Sequence, residues 1–124
     1  MQKPAANPEN DDSKAARINR HGFGPMIGKS RSLSKAFNKM AKIAHSHANA
    51  IIYGESGTGK ELAAKTIHTL SPRRHHRFVP VHCGAIPDEL VESEIFGYKK
   101  GAFTGAVMDK PGYLDRADKG SLFL

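Results

Sequence analysis

The run Gly54-Glu55-Ser56-Gly57-Thr58-Gly59-Lys60-Glu61 has the residue types and spacing needed to hold a chain of phosphates. Its glycines let the backbone turn tightly and aim N–H groups inward at anionic oxygens. Lys60 supplies a point charge for the β- and γ-phosphates, and a helix opening at this position adds the partial positive charge of its N-terminus. The ligand class implied is a nucleoside triphosphate. The residue after such a lysine is usually Ser or Thr, whose hydroxyl ligates Mg²⁺. Here it is Glu61, whose carboxylate suits either a water-mediated metal contact or stabilisation of the helix start.

Other chemistry-bearing residues are weaker candidates. His45 and His47, like His75 and His76, lack the ligand spacing of a zinc site. His82-Cys83 invites a thiol-nucleophile reading, but adjacent side chains of a strand face opposite ways, so Cys83 is expected to be a buried structural cysteine. Triphosphate hydrolysis needs an acid to hold Mg²⁺ and a group that orients water. In P-loop proteins that acid follows an apolar strand, and the sequence ends on such a strand, Ser121-Leu122-Phe123-Leu124. Binding is therefore expected, and turnover by this chain alone is not.

These residues need elements to position them. Residues 1–24, rich in Asn, Asp, Lys, Pro and Ala, predict a flexible tail or linker, with order beginning at Pro25. Ser30 or Ser32 caps a predicted helix whose face is Leu33, Phe37, Met40, Ile43 and Ala44. A short buried strand, Ala50-Ile51-Ile52-Tyr53, leads into the phosphate loop, and a helix over Glu61–His68 follows it. Phe78–Cys83 predicts a second strand, which Pro80 confines to an edge. Pro87 and the acidic pair Asp88-Glu89 start a helix to Phe96 that buries Leu90, Val91 and Ile95 and stops at Gly97. After a glycine-rich stretch through Ala106, a short helix over Tyr113–Ala117 precedes the last strand. The alternation of strand and helix predicts an α/β fold with a parallel sheet and flanking helices.

With 124 residues, 39% hydrophobic and 25% charged, the composition is that of one soluble globular domain. No apolar run approaches the roughly 20 residues of a membrane span, and the start of the chain lacks the apolar core of a secretory signal. The lone Cys83 excludes an intrachain disulfide and fits a cytoplasmic setting. The net charge of +7 invites acidic partners, yet no helix-turn-helix or zinc-finger pattern is visible, so no DNA-binding motif is assigned.

A second motif, Gly101-Ala102-Phe103-Thr104-Gly105-Ala106, narrows the reading. Together with residues 54–61, with Cys83-Gly84-Ala85-Ile86-Pro87, with Glu92-Ser93-Glu94-Ile95-Phe96-Gly97 and with Ala117-Asp118-Lys119-Gly120, it resembles the sigma-54 interaction domain. That is the AAA+ P-loop ATPase module of bacterial enhancer-binding transcription activators. The similarity runs from about Ile27 to Leu124. It implies ATP and Mg²⁺ as cofactors and a ring homo-oligomer, usually a hexamer, that couples ATP hydrolysis to remodelling of RNA polymerase carrying sigma-54. It also implies that residues 101–106 form the loop that touches sigma-54, with Phe103 and Thr104 at the contact. Glycines at both ends let that loop move, and Phe103 offers an apolar anchor.

Three positions depart from the family pattern. His82 stands where an asparagine usually senses the catalytic glutamate, so His82 is assigned to nucleotide-state sensing. Lys99 replaces a usual glutamate and Asp109 a usual basic residue, which predicts a Lys99–Asp109 pair of swapped polarity across the base of the loop. The resemblance covers only the first part of the ATPase core, up to the third predicted strand and before the Walker B acids. The alternative function is thus a catalytically inactive chain that only binds nucleotide or sigma-54.

Overall fold

The computed structural model describes residues 22–124, and residues 1–21 of the tail expected over 1–24 lie outside them. The described residues fall into two compact units divided after Leu70.

In the first unit, β1 (Gly22–Phe23) and β2 (Met26–Ile27) form an antiparallel hairpin. Gly24, at a φ of 59°, takes the left-handed position that its tight turn requires. The expected boundary at Pro25 therefore falls inside a folded turn. Phe23 is the reason: it is only 1% exposed and stacks on Phe37 with ring centroids 5.5 Å apart. Burying such a ring is worth about 1.5–3 kcal/mol.

Helix α1 (Arg31–Ala44) begins as expected, with the Ser30 hydroxyl oxygen accepting the Leu33 N–H at 3.2 Å. Of its predicted face, Phe37, Met40 and Ala44 are buried, while Leu33 and Ile43 are half-buried. Helix α2 (Lys60–Leu70) lays Ala63, Ile67 and Leu70 against the same cluster.

Ala50–Tyr53 differs from expectation. It has no hydrogen-bonded neighbour among the described residues and is not a strand. Ile51 and Tyr53 are 77% and 87% exposed, and only Ile52 packs on the core. Ala50 is exposed as well, so the inward–outward alternation of a strand is not kept, and a strand's backbone needs a partner to satisfy it.

In the second unit, β3 (Phe78–Pro80) pairs in parallel with β6 (Ser121–Phe123), Phe78 opposite Ser121 and Pro80 opposite Phe123. The Ser121 N–H donates to the Arg77 carbonyl at 2.9 Å and the Val81 N–H to the Phe123 carbonyl at 2.8 Å. Because alternate residues bond to alternate sides, Pro80 turns its missing N–H away from β6, onto the outer edge where proline is tolerated.

The strand expected to reach Cys83 ends at Pro80, and a 3₁₀ turn over Cys83–Ala85 follows. Cys83 has thereby left the sheet and is exposed, contrary to the buried position expected from strand alternation. The predicted helix from Asp88 starts as a 3₁₀ turn (Asp88–Leu90) and becomes α-helical as α3 (Val91–Phe96). The tighter turn leaves Leu90 on the surface, while Val91 and Ile95 are half-buried. Gly97 ends α3 at a φ of 73°.

Two short elements were not foreseen: β4 (Gly97–Tyr98) and β5 (Lys110–Pro111), an antiparallel ladder that closes the glycine-rich stretch. Helix α4 (Tyr113–Arg116) follows, with the Asp115 carboxylate accepting the Gly112 N–H at 3.0 Å. Lys110 pairs with Glu94 and so ties β5 to α3. Among the described residues, no helix is long and apolar enough to cross a membrane.

Candidate functional site

The loop expected to hold phosphates, residues 54–61, runs from the end of the Ala50–Tyr53 segment into the first turn of α2. Gly57 and Gly59 have φ values of 79° and 87°, the left-handed region that L side chains avoid. A Cβ on Gly54 would lie 2.7 Å from the Thr58 hydroxyl oxygen, so this position needs glycine for close approach. The Thr58 hydroxyl donates to the Glu55 carbonyl at 2.7 Å and fixes the bend.

Lys60 opens α2, and its ammonium donates to the carbonyls of Gly54 and Glu55 at 2.9 and 2.8 Å. The side chain thus folds back over the loop it follows, placing positive charge beside the backbone amides. The Ala63 N–H makes the first intrahelical bond, to Gly59 at 2.9 Å, so the amides before it remain directed at the loop. Glu61 sits exposed in the first turn of α2, where its charge complements the helix dipole. Ser56 lies at the exposed tip. Beside the loop opens a cleft of about 450 Å³ lined by Met26, Met40, Ile43, Ile52 and Ile67 along with Thr58, Gly59 and Lys60.

In the second unit, residues 101–106 form a closed loop above the β4–β5 ladder. The Gly101 N–H donates to the Ala106 carbonyl at 2.8 Å, and the Ala106 N–H donates to the Phe103 carbonyl at 3.0 Å. Gly101 and Gly105 take φ values of 82° and 100°, with open space where a Cβ would stand. Ala102 and Thr104 are exposed and Ala106 is buried at the foot of the loop. Phe103 is 52% exposed: one edge meets the Tyr98 ring at a centroid distance of 4.8 Å and the remainder faces outward. This support by Tyr98, an aromatic five residues before Phe103, lies outside the six-residue motif itself.

The Lys99–Asp109 pair predicted from swapped polarity is present, with Nζ 2.9 Å from Oδ2. What the sequence did not reveal is the other oxygen of Asp109, which accepts the Lys100 N–H at 2.8 Å. That backbone bond, followed by the bond from Lys99, holds the Asp109 carboxyl below its ordinary value. The same contact, first as a hydrogen bond and then as charge attraction, raises Lys99 above its ordinary value. Both groups are exposed, so salt screens their attraction. Lys110 is likewise raised, chiefly by its hydrogen bond to Glu94.

His82 is exposed two residues after β3 and just before the 3₁₀ turn, in the second unit, whereas residues 54–61 belong to the first. No cluster of three or more His, Cys, Asp or Glu residues able to hold a metal occurs among the described residues.

The sigma-54 interaction domain description matches residues 26–124. The chain belongs to the sigma-54 interaction domain family. It is 52% identical over 99 residues to the response regulator protein PilR of Pseudomonas aeruginosa, covering 80% of this chain and 22% of PilR. It is 43% identical to the Nif-specific regulatory protein of Azotobacter vinelandii, covering 94% of this chain and 22% of that protein. The regulatory protein LuxO of Vibrio vulnificus is also 43% identical, with 98% of this chain and 26% of LuxO covered.

Among solved structures, NtrX from Brucella abortus in complex with ATP superposes with a TM-score of 0.69 at 29% identity, over 90% of this chain and 22% of NtrX. Its ADP complex gives 0.69 at 34% identity, over 78% of this chain and 20% of NtrX. The sigma-54 interaction domain described here is therefore part of an AAA+ α/β fold, and it spans about a fifth to a quarter of the length of these relatives.

Proposed function

We propose that this chain is the ATP-binding portion of a sigma-54-dependent transcription activator, and that it couples nucleotide binding at residues 54–61 to contact with sigma-54 at residues 101–106. The observation that carries the reading is the presence in one chain of both loops, each built around left-handed glycines and each exposed. The donor set fits a triphosphate: glycine-shaped backbone amides, the start of α2 and the Lys60 ammonium converge on one loop. The adjoining apolar cleft is of a size and character suited to a planar base. Mg²⁺ would be held mainly by phosphate oxygens and water, with Glu61 reaching it through a water. The metal would neutralise phosphate charge; the residues of the chain bind and orient the triphosphate.

Assembly into a ring, remodelling of sigma-54 RNA polymerase and a sensing role for His82 belong to the same proposal. NtrX binding ATP and ADP supports the nucleotide half, and the family description supports sigma-54 as the partner. The half-exposed Phe103, braced by Tyr98, is the anchor expected to meet sigma-54. Purified sigma-54 is passed over the immobilised chain in the presence of ADP, Mg²⁺ and a metal-fluoride phosphate mimic. Retention by the natural sequence and its loss in Phe103→Ala, with unchanged circular dichroism, are expected. Equal retention by both, or by neither, would overturn the reading.

A further inference from the structure

Three large apolar side chains stand exposed within residues 103–108: Phe103 at 52%, Val107 at 77% and Met108 at 66%. Single exposed apolar residues are ordinary, but three in one short segment concentrate bare apolar surface and call for a partner. Val107 and Met108 lie beyond the 101–106 motif, so the contact proposed for that motif gives them no part.

Local hydrogen bonding explains why neither side chain reaches the core. Ala106 is buried at the foot of the loop, where its N–H donates to the Phe103 carbonyl at 3.0 Å and its carbonyl accepts the Gly101 N–H at 2.8 Å. The Val107 N–H turns straight back to the Gly105 carbonyl at 2.9 Å. At the other end, Asp109 accepts the Lys100 N–H at 2.8 Å and pairs with Lys99. Val107 and Met108 therefore bridge two pinned points, Ala106 and Asp109, and turning them inward would break the bonds at one point or the other. A span held in this way has already lost much of the backbone freedom that binding would otherwise remove.

The segment has the make-up of an interface centre with its rim, since exposed Lys99, Lys100 and Asp109 flank the apolar side chains. Met108 adds an unbranched thioether, which adapts to an irregular partner surface. Sigma-54 is the partner that the family description names, and Val107 follows without a break from the loop at which that contact is proposed.

We propose that Val107 and Met108 continue the sigma-54 contact beyond the 101–106 motif, adding their side chains to that of Phe103 against an apolar segment of sigma-54. This rests on the reading of residues 101–106 as the sigma-54 contact, and the test separates the two.

Dissociation constants for sigma-54, with ADP, Mg²⁺ and a metal-fluoride phosphate mimic present, are measured for the natural chain and four variants. Val107→Ser/Met108→Ser should bind roughly 10-fold or more weakly. Val107→Ile/Met108→Leu keeps the apolar surface and should stay within about threefold of the natural chain. Phe103→Ala should lose binding. Ile27, 85% exposed in the first unit, gives a control of like kind, and Ile27→Ser should leave binding unchanged. A second readout needs no substitution and so does not depend on the folding of a variant. Hydrogen peroxide converts exposed methionine to its sulfoxide, and mass spectrometry should find Met108 oxidised more slowly when sigma-54 is bound, while Met26 keeps its rate.

Lost binding in Phe103→Ala, with natural affinity in the Ser double variant and unchanged oxidation of Met108, would overturn the inference and leave the reading of residues 101–106 standing. Natural affinity in Phe103→Ala, or no binding by the natural chain, would overturn both. Weakening in Ile27→Ser equal to that in the Ser double variant would overturn the inference alone. So would self-association of the chain that the Ser double variant abolishes while sigma-54 binding persists, since that assigns the segment to a second copy.

Discussion

Replacing Gly97 with alanine tests the packing that supports the 101–106 loop. Gly97 links the end of α3 to β4 at a φ of 73°, and a Cβ there would overlap the Lys110 carbonyl and sit 2.5 Å from the Gly112 nitrogen. Gly101, at a φ of 82°, has open space at the same position. The two sites share one cost and differ in another. Left-handed backbone with a Cβ costs about 1–2 kcal/mol, offset by about 0.4–1 kcal/mol through the stiffer unfolded chain. Gly101→Ala should therefore destabilise by roughly 0–1.5 kcal/mol. Gly97→Ala adds the overlap with backbone atoms, which forced packing places at about 1–3 kcal/mol. Urea or thermal melts of both variants in one buffer should then separate them by about 4 °C or more in Tm, with Gly97→Ala the lower. Equal melting points would refute the claim that close approach, rather than backbone conformation, requires glycine at this position.

Two further outcomes concern the staple at the base of the same loop. Reversing the pair as Lys99→Glu/Asp109→Lys should be milder than the sum of the single changes, but it should not restore the natural stability. A lysine at 109 cannot accept the Lys100 N–H that Asp109 now accepts. Additive single effects in the double-mutant cycle would contradict the pairing. The pH dependence has a defined sign at each end. Asp109 lies below 3.8 when folded, so its contribution is complete above that value and is lost as pH falls through the lowered pKa. Lys99 lies above 10.5, so its contribution holds below that value and is lost as pH rises through the raised pKa. The stability difference between the natural chain and Asp109→Asn should be flat from about pH 5 to 9 and shrink outside that window.

Local signals in the sequence were sufficient where a single element carried them. The serines at 30 and 32 announced α1 because a hydroxyl before an apolar helical face has one evident use; Ser30 is the one that caps, and Phe37, Met40 and Ala44 of the marked face are buried. Gly97 announced the end of α3 for a similarly local reason. The turn over residues 54–59 and the helix that Lys60 opens were legible because glycine spacing and strong helix formers are local signals, whereas the strand expected before them did not form.

Features that depend on distant partners were hidden. The β4–β5 ladder is two residues long on each side, too short to leave a period. Phe23 lay in what composition marks as tail, and its burial is decided by Phe37, fourteen positions away. Cys83 and Leu90 lie on the surface rather than where a regular strand and helix would bury them, because their segments turn as 3₁₀. Ala50–Tyr53 found no strand neighbour among the described residues, which no local pattern can foretell. The Lys99–Asp109 pair was foreseen through paired departures from a family pattern, whereas the Lys100 N–H bond to Asp109 required coordinates.

The central claim is that residues 54–61 hold ATP through Lys60. Titration of a fluorescent ATP analogue with Mg²⁺ into the natural chain, into Lys60→Ala and into Lys42→Ala tests it most directly. A charge-assisted bond to phosphate contributes about 1.5–3 kcal/mol, so Lys60→Ala should weaken binding by roughly 10- to 150-fold while Lys42→Ala leaves it unchanged. Saturable binding that is equally tight in Lys60→Ala, or no binding by the folded natural chain, would contradict the account.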